Sequence, residues 1–178
     1  VTNVPTPEAI LAALPQSSIP RQISSEYHVP VTYQGAISIE RMWPRNTRTS
    51  LTYVRSQTNN VMRMRNINAP ICPEQFDCGG APVPFPGQGP IYEYESTGTL
   101  KMNRLNFNIN TNLTKGFMLG GHYSLGFSEN DGDGGFPAYS YDLSDEWGRA
   151  AFDTRHSFVV YGNMQVPWGI SLNPFISY

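Results

Sequence analysis

The chain has 178 residues, of which 39% are hydrophobic and 15% charged, with 16 Gly, 15 Pro and a formal charge of −2. That length suits one domain, and the charged fraction falls well below the roughly one quarter usual in soluble globular proteins. Lys101 and Lys115 are the only lysines, beside ten arginines, so no polybasic tract for nucleic acid is present, and no apolar run is long enough for a transmembrane helix.

Residues 1–26 read as an N-terminal arm. Within it PTPEAILAALP predicts a short helix, opened by Pro7 and Glu8 and stopped by Pro15. The arm shows no strand partner of its own, which makes it a candidate intersubunit segment. From residue 27 to 178 the chain reads as strand and turn. Residues 31–39 alternate strictly between two faces, and alternation continues weakly through 45–57 with Leu51 and Tyr53 on one side. Leu105, Phe107 and Ile109 alternate with Asn106, Asn108 and Asn110, and residues 117–128 interleave large apolar residues with Gly, Ser and His122. Weaker runs cover 154–166 and 169–178. Trp43-Pro44-Arg45-Asn46, Thr114-Lys115-Gly116 and Pro167-Trp168-Gly169 predict tight turns. Two long connections, about 58–98 and 129–152, fall between them, so tight turns gather at one end of the sheet and long loops at the other.

Runs of ten residues or more exceed the ordinary strand and match the length of a tilted strand that crosses a bilayer. The expected fold is therefore all-β: an antiparallel long-stranded meander of about six to eight strands, forming a barrel or a barrel-derived sheet. In a membrane barrel the three Asn would face the lumen, and Trp43 and Trp168 would sit in an interface girdle. A soluble long-stranded sandwich is the alternative that the alternation alone leaves open.

Several residues invite chemistry. Glu129, Asn130, Asp131 and Asp133 in SENDGDGGF, with Asp142 and Asp145 downstream, supply oxygens at a spacing calcium can use, although no Glu stands at the twelfth position of an EF-hand. A solvated acidic turn is the competing reading. Cys72 and Cys78, with five residues between them and no histidine nearby, predict a local disulfide and hence a non-reducing compartment; a zinc pair and two unpaired thiols are the alternatives. Asn112-Leu113-Thr114 is a glycosylation-type sequon. His28, His122 and His156 are scattered and no nucleophile elbow, paired-His motif or phosphate loop occurs, so no enzyme is expected. Arg149, Asp153 and Arg155 predict a salt-bridged network where loop meets strand.

Three segments, SLTYVRSQTNNVMRMRNINAP, IYEYESTGTLKMNRLNFNINTNL and YSYDLSDEWGRAAFDTRHSFVVYGNMQVPWGISLNPFIS, resemble in order and spacing the C-terminal barrel region of Oar-like TonB-dependent outer-membrane receptors of the acidobacterial kind. The likeness is most specific at 65–70, 94–96 and 152–156. It implies a large outer-membrane barrel that takes up a bulky ligand, driven by an inner-membrane energy-coupling partner. Six strands cannot close such a barrel. The edges are therefore expected to be satisfied within a longer receptor, in a small barrel or sandwich, or by strand addition between copies into an extracellular calcium-stabilised fibre. Either way the chain is placed in the bacterial outer membrane or at the cell surface.

Overall fold

The computed structural model describes residues 19–72, 78–114, 116–132 and 135–178; the helix expected in PTPEAILAALP lies outside them. The strands are β1 Arg21–Ile23, β2 Val31–Trp43, β3 Thr47–Asn66, β4 Tyr92–Thr114, β5 Phe117–Asn130, β6 Gly148–Arg149, β7 His156–Val166, β8 Ile170–Leu172 and β9 Phe175–Ser177. They form one sheet in the order β2-β3-β4-β5-β7-β8, with β1 added to β4, β6 to β5 and β9 to β7. The strand pairs are antiparallel apart from β1 with β4. β8 and β9 are one alternating run interrupted at Asn173-Pro174, where proline has no N–H for the ladder.

The three tight turns stand where the sequence places them. Arg45 and Asn46 in the first and Trp168 in the last take positive φ, at 61°, 49° and 70°. The first long connection is shorter than its sequence suggests. β3 runs on to Asn66 and β4 begins at Tyr92, so the loop spans 67–91 rather than 58–98. A strand needs about 9–11 residues to cross a bilayer, and at 20 and 23 residues these two project well past it.

Side-chain placement inverts that of a soluble protein. On β5, Ser124 and Ser128 are 7% and 4% exposed, while their neighbours Tyr123 and Phe127 are 37% and 43% exposed. The register aligns Ile39, Leu51, Phe107, Tyr123 and Phe158 in one row across five strands, with Ile37, Tyr53, Leu105 and Leu125 in the next. These residues share the outer face. Polar residues occupy the opposite one: Asn108 Nδ2 donates to Ser50 Oγ (3.2 Å), its Oδ1 meets His122 Nδ1 (2.7 Å), and Tyr161 Oη donates to Asn110 Oδ1 (3.0 Å). Among the described residues the buried apolar set is Cys72, Ile91 and Ala150, all away from the apolar band. A sandwich would bury its alternating apolar face against a second sheet; here that face is uncovered, as a lipid-facing wall requires.

The expectation that the arm lacks a partner is corrected at its end. β1 pairs in parallel with β4 through Arg21↔Tyr92, Gln22↔Glu93 and Ile23↔Tyr94. It occupies the β4 edge beyond the end of β5, whose Asn130 pairs with Leu100. The chain then crosses the sheet, with His28 N donating to Ser96 Oγ (2.8 Å) and Asn60 Nδ2 to Val29 O (3.3 Å), before entering β2 on the far side of β3.

Candidate functional site

Beyond the apolar band, β3 and β4 continue as a two-stranded ribbon carrying charges of opposite sign. Two irregularities prepare it. Register passes from Asn59↔Thr99 to Val61↔Gly98 and then to Arg63↔Glu95, one extra residue first on β3 and then on β4; Asn60, at the first, has φ of 59°. A bulge moves every later side chain to the other face. It turns Arg63 and Arg65, with Glu93 and Glu95, toward the covered side, where Arg63 is 3% and Glu95 5% exposed while Met62 is 49% exposed.

Arg63 Nη2 meets Asp131 Oδ2 at 2.8 Å and donates to Thr97 O at 3.3 Å. Arg65 Nη2 meets Glu95 Oε2 at 2.8 Å, and its Nη1 donates to Ser140 O at 3.2 Å. Breaking such a buried pair costs about 3–5 kcal/mol, because the remaining charge is stranded. Among the described residues, the buried Arg63 Nε and Nη1 and Arg65 Nε find no hydrogen-bond partner.

The two long loops close over this ribbon and hold each other. Asn68, 4% exposed, is the pin of the first. Its Nδ2 donates to Phe85 O, Gln88 O and Gly89 O, and its Oδ1 accepts from Phe85 N (2.8 Å). Asn66 Oδ1 accepts from the backbone of both Asn68 and Ile91. From the second loop, Tyr141 Oη donates to Ala69 O at 2.7 Å. Burial, and then the nearby Tyr139, raise that phenol above its ordinary pKa. Phe136 packs on Tyr92 with ring centroids 4.5 Å apart. The Cys72–Cys78 disulfide ties the outer part of the first loop, with Cα atoms 5.5 Å apart.

Of the acidic residues proposed for calcium, Asp131 and Asp142 already hold internal donors. Glu129 is exposed in β5, opposite Lys101 and Arg149. Asn130 is buried opposite Leu100 and Gly148. Asp131 has one oxygen on Arg63 and accepts Thr99 N on the other at 2.6 Å. Asp142 accepts both the N–H and the hydroxyl of Ser144, which holds its carboxyl below the usual range. Asp145 lies exposed in the short 3-10 turn 144–146, and Asp133 lies outside the described residues. Among the described residues, no three His, Cys, Asp or Glu side chains gather as a metal site. Asn112 is exposed beside the β4–β5 turn, paired with Met118.

Arg149, Asp153 and Arg155 do form a network. Arg149 Nε donates to Asp153 Oδ2 at 2.6 Å, Arg155 Nη2 lies 3.4 Å from the same oxygen, and Asp153 Oδ1 accepts Ser128 N at 2.8 Å. Burial pushes this carboxyl up, but the hydrogen bonds from Arg149 and Ser128 and the charge of Arg155 outweigh it, so its pKa is lowered.

Two cavities lie beside the ribbon among the described residues. One of about 440 Å³ is lined by Glu26, His28, Arg65, Glu93 and Glu95. The other, about 220 Å³, is lined by Arg63, Asp131, Phe136, Pro137 and Glu146, with Gly132 and Gly135. Sequence reasoning missed Arg63 and Asn68 as site residues. The signal that could have revealed the ribbon is the pair of short alternations, MRMR at 62–65 and YEYE at 92–95, whose opposite charges face one another when paired.

Among known proteins, the model of the family described as Outer membrane beta barrel domain matches residues 2–176. No curated protein and no solved structure matches the chain.

Proposed function

The chain belongs to the outer membrane beta barrel domain family, and from that premise we propose that it serves ligand uptake, as part of a TonB-dependent, Oar-like receptor of the bacterial outer membrane. The reading is supported by where two of its three most receptor-like segments meet. Residues 65–70 and 94–96 come from distant parts of the sequence and join at the long-loop end through Arg65 and Glu95, while the third, 152–156, carries the Asp153 network and leads into β7. Tight turns in such barrels face the periplasm and long loops the exterior. The capped ribbon would then meet ligand first, and the polar inner face below it would form the path inward. Energy would come from an inner-membrane coupling partner acting on the receptor.

The test is to purify the protein from its native outer membrane and identify released small molecules by mass spectrometry. Uptake of a released compound into cells is then measured with and without a protonophore. Uptake that stops when the proton gradient collapses supports the proposal, whereas gradient-independent entry, or no released compound, refutes it. Strand addition between copies is the second reading, favoured by the outer edge of β2, which pairs with nothing among the described residues. Detergent-free filaments in negative-stain images would replace uptake with that reading.

A further inference from the structure

Just above the apolar band the outer face of the sheet gathers positive charge. Arg55 stands opposite Asn103, and two residues on Gln57 stands opposite Lys101; Lys101 faces Glu129, and Glu129 faces Arg149. Residues directly opposite in a ladder share a face, and Leu51, Tyr53, Leu105 and Phe107 put this one on the lipid side. Arg155 joins the row, its guanidinium 4.1 Å from the centroid of the exposed Phe127 ring. Among the described residues, these four cations are accompanied by two carboxylates, Glu129 and the buried Asp153 that Arg149 and Arg155 hold. Arg55 and Lys101 are exposed, and among the described residues neither forms an ion pair.

Depth decides what the row meets. Phe107 lies midway between Asn103 and Thr111 on the outer face, and Lys101 is six residues from it along β4. That is roughly 20 Å along the strand at about 3.3 Å per residue, or about 15 Å in depth at a tilt near 40°. The apolar band of such barrels is about 25 Å tall, so Lys101 stands just beyond its edge, at headgroup level. Trp147, whose ring centroid lies 4.7 Å from Lys101 Nζ, and Phe127 mark the same boundary, as girdle aromatics do. The anion found at that depth is headgroup phosphate, which guanidinium groups bind through paired hydrogen bonds.

The width of the row selects the lipid. Arg55 on β3 and Arg149 on β6 are separated by three strand spacings, roughly 14 Å at about 4.8 Å each. One phosphate does not reach both ends, whereas a headgroup carrying two phosphates on a disaccharide does. Long loops face the exterior in such barrels, and the glycolipid of that leaflet, lipopolysaccharide, has such a headgroup in its lipid A.

We propose that Arg55, Lys101, Arg149 and Arg155 form a docking surface for lipid A, one phosphate resting on the Arg55 and Lys101 side and the other on the Arg149 and Arg155 side. Glu129, between them, holds the two phosphates apart. The site goes beyond the uptake reading and stands whether or not the barrel imports a ligand.

The experiment is native mass spectrometry of the protein purified from its outer membrane, stripped of lipid in detergent and titrated with three probes: bisphosphorylated lipid A, monophosphoryl lipid A and phosphatidylglycerol. Lipid A is expected to bind about tenfold more tightly than its monophosphoryl form, the order set by one charged hydrogen-bonding contact. Arg55→Gln and Lys101→Gln should each weaken lipid A by about the same factor. Arg41→Gln removes an equal charge from the turn end of the same face, where the guanidinium lies 4.0 Å from the Trp43 centroid, and should leave binding unchanged. Heat-modifiable gel mobility verifies that the variants fold, and the comparison of lipids needs no variant. No binding of lipid A, or binding unchanged in both Arg55→Gln and Lys101→Gln, overturns the proposal. Phosphatidylglycerol held as tightly as lipid A overturns it as well, the row then being a surface for any anionic lipid. An equal loss in Arg41→Gln does the same, because net charge alone would then govern binding.

Discussion

Replacing Phe107 by arginine tests which face of the sheet meets lipid. Phe107 stands in the row that joins Ile39, Leu51, Tyr123 and Phe158. Four residues along β4 toward the loops is Asn103, opposite Arg55; four residues toward the turns is Thr111. At about 3.3 Å per residue each of these two polar residues is roughly 13 Å away along the strand, or about 10 Å in depth at a tilt near 40°. Phe107 is thus at mid-depth, where arginine costs about 2–4 kcal/mol in an outer-membrane barrel, falling to about 0–1 kcal/mol near the interface. Phe107→Arg should lower folding stability by that larger amount, roughly 30- to 1,000-fold in the folding equilibrium. Asn103→Arg should cost under about 1 kcal/mol. Asn106→Arg, one residue away on the inner face, should stay within about 0.5 kcal/mol. The assay is urea-titrated reversible folding into lipid vesicles, followed by tryptophan fluorescence and gel mobility. Equal costs for Asn106→Arg and Phe107→Arg, or a reversed order, would refute the facing deduced from the register.

Asn68→Ala removes four hydrogen bonds from a buried side chain and should cost about 2–4 kcal/mol, concentrated in the first loop; unchanged hydrogen exchange at the Phe85 amide would contradict the role given to Asn68. The lowered pKa of Asp153 means that its folded form resists protonation. Its stabilisation is therefore complete above the unfolded value near pH 4 and is lost as pH falls through the lowered folded value. Acid titration of wild type against Asp153→Asn should show a shallower acid limb in the variant, and superimposable limbs would sink the linkage. Calcium should leave the melting midpoint in place, since Asp131 and Asp142 already hold internal donors; a midpoint that climbs with calcium concentration would instead make the acidic loop a metal site.

The strands of the apolar band were legible because lipid on one side and a polar interior on the other force a two-residue alternation. Above the band neither face touches lipid, so residues 58–66 lose their apolar period and look like loop, although the ladder continues to Asn66. The acidic residues were legible as oxygen donors, but spacing carries no record of what each oxygen already holds, and Asp131 is committed to Arg63 and Thr99 from elsewhere in the chain. Buried Arg63 and the three-residue β1 were illegible for a shared reason. Each is defined by a partner distant in sequence, Asp131 for one and Tyr92–Tyr94 for the other, and no local pattern announces such a partner.

The parallel placement of β1 has a bearing on time. Gln22 meets Glu93 across 71 positions of chain, and the edge it joins exists only once β4 lies against β3. The earliest described strand is therefore among the last to dock. Contacts made after the folding transition state leave the folding rate nearly untouched and slow escape from the native state instead. β1 and the crossing that follows it would then act as a clasp, expected to slow unfolding of the sheet while changing its folding rate little.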